Sequence, residues 1–216
     1  MKRIAALVAG LLLVTFGLAP PAQAAPRSLT ECSAEPYEGD TRLGPEKLPR
    51  FGHVAAQLSR YSRTGHRPVD MFLSRFYDEV EGGWHYPPGD GYAIGQDGEP
   101  VKWEQRLDRG RLIDRYGSEY GGFLAPAGLP YTKRSIPPSD LVGIPAEGCN
   151  YFRYVVLRPF DVWAGLVAPW FFQSGGGLRF QLSGTFVPGS PDRLSVLWLV
   201  DYGYLGRVVS PSTPSR

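Results

Sequence analysis

Three stretches of the chain set polar groups among aromatic rings and glycines. "DRYGSEYGGFLAP", from Asp114 to Pro126, holds one arginine, three aromatics and three glycines in thirteen residues. "LPYTKRSIPP", from Leu129 to Pro138, places Arg134 beside a proline-fixed turn. "APWFFQSGGGLRF", from Ala168 to Phe180, sets Gln173 before a serine and three consecutive glycines. A guanidinium stays charged and donates in a planar fork that matches the oxygens of an anion. Ring faces stack on flat ligands and attract cations, and glycine lets the backbone come close where a Cβ would obstruct. A neutral glutamine can orient a hydroxyl or a water without adding charge. Each stretch taken alone also fits an exposed arginine or a plain hairpin loop.

The elements that must position these residues follow from periodicity. Val54, Leu58 and Tyr61, then Met71, Phe72, Phe76 and Val80, recur at helical spacing and predict helices over 53–61 and 69–80, the second closed by Gly82-Gly83. Residues 28–52 are rich in proline and glycine and read as ordered coil. Pro87-Pro88 and Gly89-Asp90-Gly91 then break the chain before a β-rich part. Strands are expected at 111–116, 151–157, 162–168 and 178–182, with a further one at 185–187. Residues 195–200 fit either a strand or a short helix ending at Gly203.

The N-terminus bounds the compartment. Lys2-Arg3, an apolar run from Ile4 to Leu18 and Ala22-Gln23-Ala24 follow the order of a secretory signal peptide. The run falls short of the ~20 apolar residues a spanning helix needs, so no membrane anchor is expected. The whole chain carries a net charge of +2, and loss of residues 1–24 removes two bases and no acid. General nucleic-acid binding therefore has no support from bulk charge. Cys32 and Cys149 are the only cysteines, and an exported chain more often bridges such a pair than leaves two buried thiols. Neither a GxxxxGK[ST] phosphate loop, a GxGxxG turn, a GxSxG elbow nor an HExxH helix occurs. His53, His66 and His85 read as surface or hydrogen-bonded residues.

In order and spacing, "IDRYGSEYGGFLAPAGLPYTKRSIPP", "YFRYVVLRPFDVWAGLVAPWFFQSGGG" and "VLWLVDYGYL" resemble the tuberculosis-necrotizing-toxin domain family of NAD+ glycohydrolases. "YEGDTRLGPEKLP" and "DGYAI" further resemble secreted fungal NADases, which carry a helical thumb before that domain. The resemblance implies an α+β fold: residues 25–92 as coil and a thumb-like helical part, then 93–208 as a bent, mostly antiparallel sheet, with 209–216 a disordered tail. It implies Arg115 and Gln173 as catalytic residues, and Arg134, Tyr116 and Phe123 as binding residues. In this reading Arg115 and Arg134 clamp phosphate, Tyr116 and Phe123 line a nicotinamide pocket and Gln173 acts at the ribose. NAD+ would be substrate, NADP+ a second candidate, with no cofactor or metal and a homodimer formed through the N-terminal part. ADP-ribosyl transfer or cyclisation starts from the same bond cleavage, and a non-catalytic ligand-binding domain is the other alternative.

Three departures accompany the resemblance. A histidine of the toxins' strand is replaced within Phe152-Arg153, and the glutamine after the glycine run is replaced by Arg179. The fungal relatives' C-terminal calcium site is not expected, because residues 206–216 contain no acid.

Overall fold

The computed structural model describes residues 30–141 and 148–208, so the expected signal segment and tail lie outside the described residues. The N-terminal part is coil with short 3-10 turns, followed by helices α1 (Gly52–Gln57) and α2 (Val69–Phe76) and a two-residue hairpin of β1 (Tyr77–Asp78) and β2 (Gly83–Trp84). The second helix stops four residues earlier than its apolar spacing predicts. Asp78 is the reason: its Oδ1 accepts from the amides of Val80 and Glu81, which closes a turn in place of another helical turn. The Tyr77 and Trp84 rings then pack edge to face across the hairpin, 5.0 Å apart.

Among the described residues seven strands follow: β3 (Trp103–Leu107), β4 (Leu112–Tyr116), β5 (Phe123–Pro126), β6 (Tyr151–Val156), β7 (Phe160–Leu166), β8 (Leu178–Gln181) and β9 (Leu205–Arg207). They form one antiparallel sheet in the order β3-β7-β8-β5-β4-β6-β9. Helix α3 (Val196–Asp201) settles the ambiguous segment, with Ser195 Oγ accepting from the Trp198 amide at its start. Residues 184–186 form a 3-10 turn rather than the expected strand. Ser183 caps that turn, and the Phe186 ring packs on Trp163 at 5.2 Å instead of pairing into the sheet.

Three clusters hold the parts together. Ile113, Leu124, Tyr154, Val162 and Phe180 from the sheet bury against Val196 and Leu199 of α3, each large side chain contributing about 1.5–3 kcal/mol. A second cluster joins Cys32, Val54 and Leu58 to Tyr116, Tyr131, Leu141 and Cys149, with Cys32 and Cys149 disulfide-bonded. A third sets Phe72 and Phe76 of α2 around Phe171. Side chains alternate along β4, so Ile113 joins the sheet core while Tyr116 joins the cluster shared with the N-terminal part. Among the described residues no helix is long and apolar enough to cross a membrane.

Candidate active site

A cavity of about 420 Å³ opens where β4, β5 and β8 meet the 129–140 segment and the turn at 86–91. That volume falls in the ~300–1,000 Å³ range of small-molecule sites. Arg115, Tyr116 and Phe123 all line it, as do Asp140 and Arg179.

Arg115 is held by its own loop. Its Nε donates to Ser118 O at 2.6 Å and its Nη1 to Phe123 O at 2.8 Å. Two of five guanidinium N–H donors are thus engaged, and the rest remain for a ligand. Burial depresses its pKa, while the charge of Asp140 opposes that effect. A Cβ at Gly121 would overlap the guanidinium, so the glycine there admits the arginine head.

Arg179 is the second cation at the cavity. Its Nη1 donates to Asp90 O at 2.6 Å and its Nη2 to Arg134 O at 3.2 Å. Its guanidinium carbon lies 4.9 Å from the centre of the Phe123 ring. Phe123 therefore serves both arginines, by its carbonyl for Arg115 and by its ring face for Arg179. Tyr116 is buried, its ring packed on Tyr131 at 4.9 Å and Tyr151 at 4.8 Å, and its hydroxyl has no partner among the described residues.

Arg134 touches the cavity, but its guanidinium is engaged elsewhere. The residue is 5% exposed. Nη2 donates to Gln57 Oε1 at 2.9 Å, Asp114 Oδ2 at 3.0 Å and Leu129 O at 2.8 Å, and Nε donates to Leu129 O at 3.1 Å. Nη1 lies 2.7 Å from Asp114 Oδ1, an ion contact outside hydrogen-bond geometry. Asp114, fully buried, also accepts from Tyr151 Oη at 2.7 Å and from the Gly128 amide at 2.8 Å. The pair ties β4 to α1, and the expected phosphate role of Arg134 meets a side chain whose charge is already neutralised by Asp114.

Gln173 lies behind the cavity wall and is not among its lining residues. Its Nε2 donates to Ile136 O at 2.7 Å, and its buried Oε1 has no hydrogen-bond partner among the described residues. The turn that presents it is strained: Phe171 and Phe172 have φ of 51° and 52°, in the left-handed region that favours glycine. Complete burial of Phe171 against Phe76 and Trp84, with ring centres at 5.2 and 5.5 Å, offsets that strain.

Asp140 is a residue that motif reasoning missed. It sits at the end of a 3-10 turn (Pro138–Leu141), and burial pushes its carboxyl up to about 6 while Arg115 and Arg179 pull it down. Among the described residues no hydrogen bond or ion pair reaches its carboxylate. Of Phe152-Arg153, the pair expected in place of the toxins' histidine, Phe152 is the cross-strand partner of Arg115 on β4 and β6 and packs against the sheet core.

Comparison with known proteins adds three findings. Residues 106–208 match the family model described as "TNT: Tuberculosis necrotizing toxin". The chain is 39% identical over 175 residues to the conidial surface nicotinamide adenine dinucleotide glycohydrolase nadA of Aspergillus fumigatus, spanning 79% of this chain and 70% of that protein. The structure of tuberculosis necrotizing toxin complexed with its immunity factor aligns over 88% of this chain and 98% of the toxin chain. Its TM-score is 0.55 at 17% identity, a likeness of fold.

Proposed function

The chain belongs to the tuberculosis necrotizing toxin family, and from that premise we propose that it is an NAD+ glycohydrolase, cleaving the nicotinamide–ribose bond to give nicotinamide and ADP-ribose. The observation that carries the reading to particular residues is the pair of guanidinium groups, Arg115 and Arg179, that flank Phe123 at one cavity with donors to spare.

The chemistry suits such a site. Nicotinamide leaves NAD+ as a neutral base from a cationic ring, so the leaving group needs no proton and the paired carboxylates of ordinary glycosidases are not required. What the protein must do is hold the diphosphate, pack the leaving ring and favour an oxocarbenium-like ribose while water attacks. Arg115 and Arg179 take the diphosphate, since both keep free donors, and Arg134 instead holds β4 in place through Asp114. Tyr116 and Phe123 give nicotinamide its aromatic surroundings. Gln173 is assigned to the ribose side: its Nε2 is held by the carbonyl of Ile136, a residue of the cavity wall, and its Oε1 is uncommitted, in a turn kept despite strain.

We also propose that the protein is exported. The 1–24 segment, the disulfide and the surface location in the relative's name support this. NADP+ remains a second candidate substrate. A rise in fluorescence when purified protein meets etheno-NAD+ tests the activity, and unchanged fluorescence at high enzyme concentration would refute it. Running etheno-NADP+ beside it tests the second substrate.

A further inference from the structure

We propose that Asp140 is a further catalytic residue, its carboxylate accepting hydrogen bonds from the hydroxyls of the ribose that carries nicotinamide and stabilising the positive charge that builds on that ring. The proposal rests on the glycohydrolase reading and extends it to a residue outside the motifs.

The argument begins with the acids at the cavity. Asp90, Asp114 and Asp140 line it. Asp114 is neutralised by Arg134, and Asp90 accepts from Gln181 Nε2 at 3.1 Å and lies 3.9 Å from Lys102. Asp140 alone of the three has no bonded or ion-paired partner among the described residues. A carboxylate half-buried against protein and left unpaired is costly, so its retention opposite two arginines calls for a ligand-side partner.

The chain holds in place the turn that carries that carboxylate. The Trp84 indole donates to Ser139 Oγ at 3.0 Å, Tyr131 Oη donates to Pro137 O at 2.7 Å and Asn150 Nδ2 donates to Asp140 O at 3.2 Å. Gly44 meets the same turn so closely that a Cβ there would overlap Pro138 O. Such a fixed anion lowers the barrier because it needs no reorganisation when charge appears. The groups facing it are Arg115 from β4 and Arg179 from β8, with Tyr61, Tyr86 and Tyr131 from the surrounding loops.

In the reaction the C1′–N bond breaks with its electron pair going to the nicotinamide nitrogen. Water oxygen then bonds to C1′ and its proton passes to solvent. Asp140 forms no covalent bond; it opposes the positive charge between those two events.

Asp140→Asn keeps the shape and removes the charge. Relative to wild type, D140N is expected to lose about a hundredfold in kcat on NAD+, with KM and the Kd for ADP-ribose changed only a few-fold. The rise of kcat/KM with pH through about 6 should vanish with it. Wild-type kcat and an unchanged pH profile in D140N would overturn the proposal. Should D140N fail to fold, D140A carries the test. Formate added to D140A is expected to restore part of the turnover, and no response to formate would count against Asp140. Absence of nicotinamide release by wild type would remove the glycohydrolase reading itself, whereas an active wild type with an indifferent D140N removes only this proposal.

Discussion

Arg115 Nη1 donates to the carbonyl oxygen of Phe123 at 2.8 Å, and the ring of that same Phe123 lies under Arg179 at 4.9 Å. One residue thereby sets the position of two cations, and the loop between Arg115 and Phe123 becomes a single binding element. The glycines of that loop matter through contact as well as flexibility. Gly121→Ala is expected to push the Arg115 head aside, because the obstructed group is the far end of a side chain and not the backbone. Tenfold or greater loss of kcat/KM on NAD+ with a melting temperature within a few degrees of wild type is the expected outcome. Steady-state kinetics beside a thermal melt checks it.

Arg134 and Arg179 should separate cleanly in mutagenesis. Removing one partner of a buried ion pair costs about 3–5 kcal/mol, because the remaining charge is left uncompensated. Arg134→Met strands the fully buried Asp114 and should lower stability by that amount in urea unfolding. Arg179→Met, which loses two bonds to carbonyl oxygens but leaves no charge stranded, should unfold at nearly the wild-type urea concentration while KM for NAD+ rises.

Asp140 links stability to pH in the sense opposite to a salt-bridged acid. Its folded pKa is raised from 3.8 to about 6, chiefly by burial. Below about pH 3 the carboxyl is mostly protonated folded and unfolded alike, so its burial costs little. As pH climbs toward 6 the unfolded chain ionises first, and above about 6 the cost of burying the charge is fully present. Asp140→Asn should therefore leave stability nearly unchanged below about pH 3 and raise it by about 1–3 kcal/mol above pH 6. Unfolding curves at about pH 3 and about pH 7.5 measure this, and a stabilised variant with poor turnover is the pattern expected of a functional charge.

The Cys32–Cys149 bond closes a sequence separation of 117 residues. Chain-entropy reasoning assigns a loop of that size about 4–5 kcal/mol at most. The double variant C32S/C149S should lose roughly 10 °C in melting temperature, with catalysis below its melting point largely retained. Differential scanning calorimetry checks the first and a low-temperature assay the second.

Long-period patterns carried much of this fold in the sequence. The main strands around Arg115, Tyr154 and Phe180 followed from apolar patterning and the disulfide from cysteine arithmetic, while the α+β class came with the family resemblance. Strands β3, β5 and β9 escaped because their side chains mix exposure and burial within three to five residues, too few to show a period. At the site, Arg115, Tyr116 and Phe123 share one cavity as their motif suggests. Arg134 lines the same cavity, but sequence spacing cannot reveal that Asp114 and Gln57 engage its guanidinium. Asp140 was invisible for the converse reason: its standing comes from the partners it lacks. Glu119 shows the same limit. Its carboxylate accepts from Tyr154 Oη at 2.8 Å and Arg207 Nη2 at 2.7 Å, anchoring the Arg115 loop to β6 and β9.

Nicotinamide release separates catalysis from mere binding most directly. Purified protein lacking residues 1–24 should convert NAD+ to nicotinamide and ADP-ribose in equal amounts, resolved by chromatography, with Arg115→Ala reducing the rate at least a hundredfold. NAD+ recovered intact after prolonged incubation with folded, disulfide-bonded protein would contradict the assignment.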